Sequence, residues 1–154
     1  MRLRVSEELD SIGVYHRLIK LTGRAKSTED VIRYSVDALD PEEVCKTIIL
    51  KTIEGGHYAA LLQGRDSIDL EKAEEYLGVE VKLASIEDVR NVTGMAVGAI
   101  CPVLLKMPIM VDKRILRHEK INFGSGHHLY GIEVCTRDLG KALDYTLVDI
   151  VYTP

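Results

Sequence analysis

The segment VCKTIILKTIEGGHYAALLQ, residues 44–63, consists of two apolar runs that are separated by a short turn with two glycines. Both runs, residues 44–51 and 57–63, have the length of a buried strand, and the EGG turn at 54–56 is typical of a β-hairpin. The pattern predicts two adjacent antiparallel strands. Because a purely alternating βαβ fold joins parallel strands through helices, this hairpin excludes that fold class.

Helix-capping residues mark three helices around the hairpin. Ser27, Asp69 and Ser85 each precede an amphipathic segment, and a side-chain oxygen at such a position accepts a hydrogen bond from the first turn of a helix. Gly78 and Gly94 follow the last two segments, where glycine commonly ends a helix. The residues expected to face the core from these helices are Ile32, Val36, Leu39, Leu70, Ala73, Leu77, Ile86, Val89 and Val92.

The other segments complete a mixed set of strands and helices. With the hairpin they predict an α+β (mixed α/β) fold, in which about six to seven strands form one strongly curved, barrel-like mixed sheet flanked by short helices. At 154 residues the chain fits one domain, which we place at residues 1–154. Further strands are expected at residues 14–21, 79–84, 108–112, 120–123, 129–134 and 146–152, and further helices at 6–12 and 136–145.

Composition and charge exclude several classes of protein. The net charge of -4 argues against binding of nucleic acid by charge alone, although a local basic patch could still contact one end of an RNA. The three cysteines form no C-x-x-C pair, which favours a reducing, cytoplasmic compartment over a disulfide framework. No apolar run is long enough for a membrane span, and the N-terminus lacks the apolar region of a secretory signal.

Common cofactor and nucleophile motifs are missing from the sequence. There is no phosphate loop, no G-x-G-x-x-G between a strand and a helix, and no G-x-S-x-G elbow. The five histidines include no H-x-x-x-H pair, and His127 and His128 would point apart on an extended segment. We therefore predict neither a metal site nor a cofactor.

Lys46 raises the main question about function. Side chains alternate along a strand, so Lys46 shares the more apolar face of its strand with Val44, Ile48 and Leu50. An unpaired buried charge is costly, and Lys46 therefore reaches a partner, extends its ammonium group into water, or faces a cavity. In the last case the cation, with Thr47 beside it, could bind a carbonyl oxygen or a phosphate.

Two glycine-containing segments are candidates for the walls of such a cavity. TGMAVGAICP, residues 93–102, is either an ordinary helix end and turn or a bare backbone wall in which the N–H of Gly98 binds a developing oxyanion. NFGSGHH, residues 122–128, is either a flexible hairpin loop or a second wall that supplies N–H groups, the Ser125 hydroxyl and one imidazole. Cys101, within the first segment, is either a small buried hydrophobe or a reactive thiol.

Taken together, these segments resemble the YbaK/ProX family of aminoacyl-tRNA editing domains, which is also found inserted in or associated with bacterial prolyl-tRNA synthetases. Lys46 matches the lysine that is essential to the family, and Gly98 matches the first glycine of its GG-x-x-P loop. Ala99 replaces the second glycine, and Gly131 stands where some members carry an acid, so both changes bear on substrate choice. The likeness spans residues 10–150 and is carried by VCKTIILK (44–51), GRDSIDLEKAEEYLG (64–78), VKLASIEDVRNVTGMAVGAICP (81–102), MPIMVD (107–112) and GSG (124–126), followed by IEV and DLGKAL.

The resemblance implies hydrolysis of the ester between a wrongly attached amino acid and the 3′-terminal ribose of tRNA. We expect a trans-acting aminoacyl-tRNA deacylase for a small amino acid such as Ala, Cys or Ser, with tRNA-Pro as one candidate carrier. The implied partners are the acceptor end of aminoacyl-tRNA and an aminoacyl-tRNA synthetase. The alternatives are a catalytically silent module that binds a tRNA end or a synthetase, and an unrelated small-molecule-binding domain.

The resemblance also assigns roles to individual residues. Lys46 and Gly98 are the expected catalytic residues, because a cation and a backbone N–H can stabilise negative charge on the ester. The expected substrate-binding residues are Thr47, Gly94, Ala99, Pro102, Gly124, Ser125, Gly126 and His127. Each of seven basic residues is either an ordinary solvated charge or a contact to the RNA backbone: Lys20, Arg24, Lys26, Lys106, Lys113, Arg114 and Arg117.

Overall fold

The predicted hairpin forms the middle of the larger of two β-sheets. A computed structural model describes residues 2–153, and this part of the chain contains five α-helices and eight strands. The helices are α1 (Arg4–Ser11), α2 (Thr28–Tyr34), α3 (Leu70–Leu77), α4 (Ile86–Thr93) and α5 (Leu139–Ala142). The strands are β1 (His16–Lys20), β2 (Cys45–Thr52), β3 (His57–Gln63), β4 (Val81–Leu83), β5 (Ile109–Asp112), β6 (Lys120–Gly124), β7 (Tyr130–Cys135) and β8 (Tyr145–Val148).

The two sheets differ in strand direction. The five-stranded sheet has the order β4-β2-β3-β5-β8, in which β2 pairs antiparallel with β3 and β4, while β5 pairs parallel with β3 and β8. The three-stranded sheet has the order β1-β7-β6 and is antiparallel throughout. A parallel bridge between Val44 and Asn122 connects the beginning of β2 to β6. The fold is therefore mixed α+β, as predicted.

The capping residues that the sequence analysis identified begin their helices as expected. The Ser27 and Ser85 hydroxyls accept hydrogen bonds from the third residue after each cap, and the Asp69 carboxylate accepts from the second and third. Gly78 and Gly94 adopt φ angles of 72° and 73° at the ends of α3 and α4. A residue with a Cβ rarely adopts this left-handed conformation, so glycine is favoured at both helix ends.

Three apolar clusters hold the elements together. One face of the larger sheet packs against one face of the smaller sheet, and this main cluster includes Ile49, Leu61, Phe123 and Ile132. The opposite face of the larger sheet is covered by α3, in a second cluster around Leu50. The third cluster lies on the other side of the smaller sheet, against α2; its members are Ile19, Leu21, Ala25, Val31, Tyr34 and Leu39.

The prediction of one barrel-like sheet is wrong. The strands divide into two sheets, and neither closes into a barrel. On the side away from β3, β2 pairs with β4 only from Leu50 to Thr52. The beginning of β2 is linked to β6 by a single bridge among the described residues. Closure needs continuous pairing between neighbouring strands around the ring, and one bridge does not provide it.

Some predictions about helix faces and boundaries are also wrong. Val36 lies beyond the end of α2 at Tyr34 and is exposed, because the segment leaves helical geometry after two turns. Ile86 and Val92 are exposed on α4, which buries only Val89, so this short helix contacts the core through one position. Residues 136–145 form a 3₁₀ turn followed by α5 rather than one helix, and β8 is limited to the four residues that pair with β5.

No helix within residues 2–153 is both long enough and apolar enough to cross a bilayer.

Candidate functional site

A cavity of about 150 Å³ lies at the beginning of β2. Its walls come from β2, from the N-terminal end of α2, from the loop around Gly98, and from the adjoining ends of β6 and β7. Lys46, Thr47, Gly98 and Gly124, four of the residues predicted for the site, border this one cavity. Much of the remaining wall is aliphatic and consists of Leu21, Val31, Val44, Ile48, Val97 and Ile100.

Lys46 is half-buried at the cavity. Its ammonium group forms no ion pair or hydrogen bond with any of residues 2–153. Burial lowers the pKa of Lys46 below the ordinary 10.5, and the negative charge of Asp66 acts in the opposite direction. A partly desolvated cation without a protein partner has more to gain from an anionic or carbonyl ligand than a fully hydrated one.

The carboxylate that acts on Lys46 is held in place by a short hydrogen-bonded chain. The side-chain amide of Gln63 donates to Asp66 Oδ2 at 2.8 Å, and Gln63 Oε1 lies 2.6 Å from His118 Nε2. Because the amide oxygen can only accept, the proton of this second hydrogen bond lies on His118 Nε2. The chain therefore fixes the position of a negative charge near Lys46, outside the cavity lining.

Thr47, which also borders the cavity, carries a second polar side chain. Its oxygen is buried, and no hydrogen bond links it to residues 2–153. Thr47 lies in the part of β2 that precedes Leu50. On the side away from β3, this part pairs with no strand within residues 2–153 apart from the bridge at Val44. A buried hydroxyl without a hydrogen bond is unfavourable by about 1–3 kcal/mol.

Gly98 and Gly124 are required by close backbone packing. A Cβ on Gly98, which has φ +92°, would lie 2.6 Å from the carbonyl oxygen of Ala25. A Cβ on Gly124 would lie 2.4 Å from the carbonyl oxygen of Ile100. Both distances are too short for any real Cβ, so the glycines allow three backbone segments to meet at the cavity. The backbone at Gly98 borders the cavity because of this packing.

The other predicted substrate-binding residues do not border the cavity. Ala99 accepts a hydrogen bond from the Gly126 N–H through its carbonyl, which ties the two glycine-containing segments together. The Ser125 hydroxyl donates to the Tyr130 carbonyl at 2.7 Å and accepts from the His127 N–H at 3.1 Å, so it organises its own loop. The residues that lie outside the cavity wall are Gly94, Ala99, Pro102, Ser125, Gly126 and His127.

Several residues at the cavity were not predicted for the site. Ser27 was identified only as a helix cap, and Thr28 follows it with its hydroxyl donating to the Gly64 carbonyl at 3.1 Å. Lys26 was named only as a candidate RNA contact, and it borders the cavity beside these two residues. Asn122 was named only as the first residue of the segment 122–128. The capping pattern placed α2 correctly, but local sequence does not reveal that its first turn faces β2.

The thiols and the metal-binding side chains suggest no additional chemistry. Burial raises the pKa of Cys101 to about 12 and raises the pKa of Cys45 further, so both remain protonated at neutral pH. A protonated, buried thiol is a poor nucleophile. Among residues 2–153, no three His, Cys, Asp or Glu side chains are grouped so that they could hold a metal ion.

Arg114 is unsuited to the RNA contact proposed for it. Its guanidinium group donates to both oxygens of the buried Asp112 carboxylate, at 3.2 and 3.1 Å, and to Asp149 at 2.8 Å. Hydrogen bonding to Asp149 raises the pKa of Arg114. The Asp112 carboxylate also accepts from the Ile150 N–H at 3.0 Å. Arg114 therefore belongs to a structural ion-pair network at the ends of β5 and β8.

Comparison with known proteins gives a family match over most of the chain. The model of the family described as "Aminoacyl-tRNA editing domain" matches residues 23–142, a range that contains every residue bordering the cavity except Leu21. The matched range also contains all ten residues that the sequence analysis assigned to catalysis or substrate binding.

Solved structures share the fold over almost the whole chain. A hypothetical protein designated APE2540 is 25% identical, with a TM-score of 0.87 over 96% of this chain and 99% of its own. A crystal structure described as a candidate trans-editing enzyme for prolyl tRNA synthetase is 22% identical, with a TM-score of 0.84 over 97% of this chain and 96% of its own. At this level of identity the second likeness establishes the fold alone.

Proposed function

This chain belongs to the aminoacyl-tRNA editing domain family, and on that premise we propose that it is a trans-acting deacylase. It would hydrolyse the ester that joins a wrongly attached amino acid to the 3′-terminal ribose of tRNA. The whole chain, residues 1–154, would act as one editing unit. The observation that carries the proposal is the Lys46 ammonium group, which borders a small cavity and has no partner within residues 2–153.

The proposed chemistry needs no covalent nucleophile. An aminoacyl ester is already activated, and its hydrolysis depends chiefly on positioning and on stabilising the oxyanion that forms. Water adds to the carbonyl carbon, the oxyanion collapses, and the bond to the ribose oxygen breaks, which yields a free amino acid and a ribose hydroxyl. A neighbouring ribose hydroxyl of the substrate itself would assist the water, as the family resemblance implies.

Lys46 and Gly98 would act on the ester through charge and hydrogen bonding. Lys46 would either polarise the carbonyl oxygen or anchor the terminal adenosine through its phosphate, and Thr47 would form part of the cavity wall beside it. The backbone N–H of Gly98 would stabilise the oxyanion. Removal of one such electrostatic contact typically slows the chemical step by about 10² to 10³-fold.

The dimensions and lining of the cavity favour a small amino acid. A volume of about 150 Å³ bounded largely by aliphatic side chains suits the side chain of Ala, Cys or Ser on tRNA-Pro or another tRNA. Such errors arise because a synthetase gains only about 1–3 kcal/mol of discrimination from one methylene group. A second site that admits only small side chains removes them.

The partner would be the unpaired acceptor end of aminoacyl-tRNA, presented free or by a synthetase. Unpaired RNA ends can be splayed and bound through bases and phosphates, which does not require a protein of high positive charge. Lys26 borders the cavity and is the basic residue best placed for this contact. The remaining candidates are Lys20, Arg24, Lys106, Lys113 and Arg117.

Deacylation of mischarged tRNA by wild-type protein and by Lys46→Ala tests the proposal. We expect release of the amino acid by the wild type from at least one of alanyl-, cysteinyl- and seryl-tRNA, and loss of at least about 10² in rate with the variant. Lys51→Ala is the matched control, because Lys51 lies on the same strand but pairs with Asp88 at 3.7 Å, outside the cavity.

The same experiment separates the enzyme from a silent binding module. An ester that stays intact while wild-type protein binds the tRNA tightly would support the module and contradict the deacylase. Equal rate losses in Lys46→Ala and Lys51→Ala would contradict the specific role of the cavity cation.

A further inference from the structure

Asn122 is a buried polar residue on the cavity side of the smaller sheet. Side chains alternate along β6, so Asn122 and Gly124 share one face, while Ile121 and Phe123 point into the main core. Gly131 of β7 pairs with Gly124 and lies on the same face. Asn122, Gly124 and Gly131 all border the cavity.

The carboxamide of Asn122 has no hydrogen-bond partner among residues 2–153, although the residue is only 3% exposed. The Thr47 hydroxyl is sealed away from solvent and has no partner within residues 2–153, whereas the polar atoms of Asn122 keep some accessible surface. The accessible surface that remains to them therefore opens into the cavity. Buried amides nearly always form hydrogen bonds, so an unpaired one at a cavity indicates a ligand contact.

The charge of the cavity defines which ligand group Asn122 would contact. Among the described residues, the lining contains two cationic side chains, Lys26 and Lys46, and no carboxylate. Two ammonium groups repel the α-ammonium group of an aminoacyl ester, so this group needs a hydrogen-bond acceptor in the lining to offset them. The Ser27 hydroxyl accepts from the Asp30 N–H and the Thr28 hydroxyl donates to the Gly64 carbonyl, whereas the Asn122 carboxamide forms no hydrogen bond within residues 2–153.

Resting on the proposed function, we infer that Asn122 binds the amino-acid part of the substrate. Its Oδ1 accepts a hydrogen bond from the α-amino group of the attached amino acid. The bridge between Asn122 and Val44 supports this arrangement, because it holds Asn122 beside the beginning of β2, two residues before Lys46. Lys46 and Asn122 would thus contact the same ligand from neighbouring strands. This contact makes the site specific for an aminoacyl ester over an ester without an amino group.

Binding of two stable amide analogues of the tRNA end tests the inference. One analogue is 3′-(L-alanylamino)-3′-deoxyadenosine. In the other analogue a propionyl group replaces the alanyl group, so the two ligands differ only in the α-amino group. Titration calorimetry would compare wild type, Asn122→Leu and Asn122→Ala, which lack the acceptor, and Asn122→Asp, which keeps one. We expect Asn122→Leu and Asn122→Ala to weaken binding of the alanyl ligand by about tenfold or more and to leave the propionyl ligand unchanged.

Each remaining outcome discriminates between explanations. Asn122→Asp should still prefer the alanyl ligand, because a carboxylate oxygen also accepts from an ammonium group. Equal changes for both ligands in the Leu and Ala variants, or no change for either, would overturn the role of Asn122 and leave the deacylase proposal intact. If wild-type protein binds neither analogue and also cleaves no mischarged tRNA, the proposed function itself is overturned.

Discussion

Replacement of Lys46 by methionine should stabilise the protein and abolish its activity. Methionine keeps most of the length of the lysine stem but removes a charge that is partly desolvated and has no partner within residues 2–153. Changes that relieve strain of this kind at functional sites commonly add about 0.5–2 kcal/mol to the free energy of unfolding. For a chain of this length, 1 kcal/mol corresponds to about 2–4 °C in Tm.

The dependence of this effect on pH follows from the direction of the pKa shift. The folded-state pKa of Lys46 lies below its unfolded value of 10.5, so the folded protein releases the proton first. Between the two pKa values the unfolded chain binds more protons, and stability therefore rises with pH in that window. The gain in stability of Lys46→Met over wild type should be largest at neutral pH and should shrink as pH rises through the folded-state pKa.

Thermal unfolding and deacylation of mischarged tRNA, measured on the same preparations, would test both the gain in stability and the loss of activity. Lys51→Met is the control: Lys51 is on the same strand and pairs with Asp88, so its replacement should not raise Tm and should preserve activity. A lower Tm for Lys46→Met than for wild type would refute the claim that the cation is held at an energetic cost. Full activity in Lys46→Met would refute its role in the reaction.

Three further predictions concern the packing and the charges around the site. Gly124→Ala places a Cβ 2.4 Å from a carbonyl oxygen and should lower the free energy of unfolding by about 1–3 kcal/mol, measured by urea denaturation, with loss of ligand binding. Asp112→Ala leaves Arg114 without its fully buried partner and should cost about 3–5 kcal/mol, whereas an unchanged urea midpoint would contradict the network. The pKa of Asp88 is lowered, chiefly by its hydrogen bond with His57. The ionised Asp88 carboxylate therefore stabilises the fold above its unfolded-state pKa near 3.8, and this stabilisation is lost as pH falls through the folded-state pKa. The Asp88→Asn variant should therefore lose less stability than wild type on acidification, as acid titration followed by circular dichroism would reveal.

The candidate site was only partly predictable because its residues come together from distant parts of the chain. Lys46 and Thr47 were identified since a lysine inside an apolar strand conflicts with its surroundings, and this conflict is visible locally. The glycines at 98 and 124 were identified as wall positions, but the reason for them, contact with other backbone segments, was not. Asn122 gave no local signal: its proposed role rests on the lack of a hydrogen-bond partner within residues 2–153, which only packing determines.

Local chemistry in the sequence determined the hairpin at 44–63 and the caps at Ser27, Asp69 and Ser85, since turn residues and capping oxygens act within a few positions of the chain. The division of the strands into two sheets, and the cavity that forms where β2 meets β6, were decided by tertiary structure alone. The physical reason is that pairing between distant strands depends on which apolar faces can be buried together, and many arrangements satisfy the same local pattern.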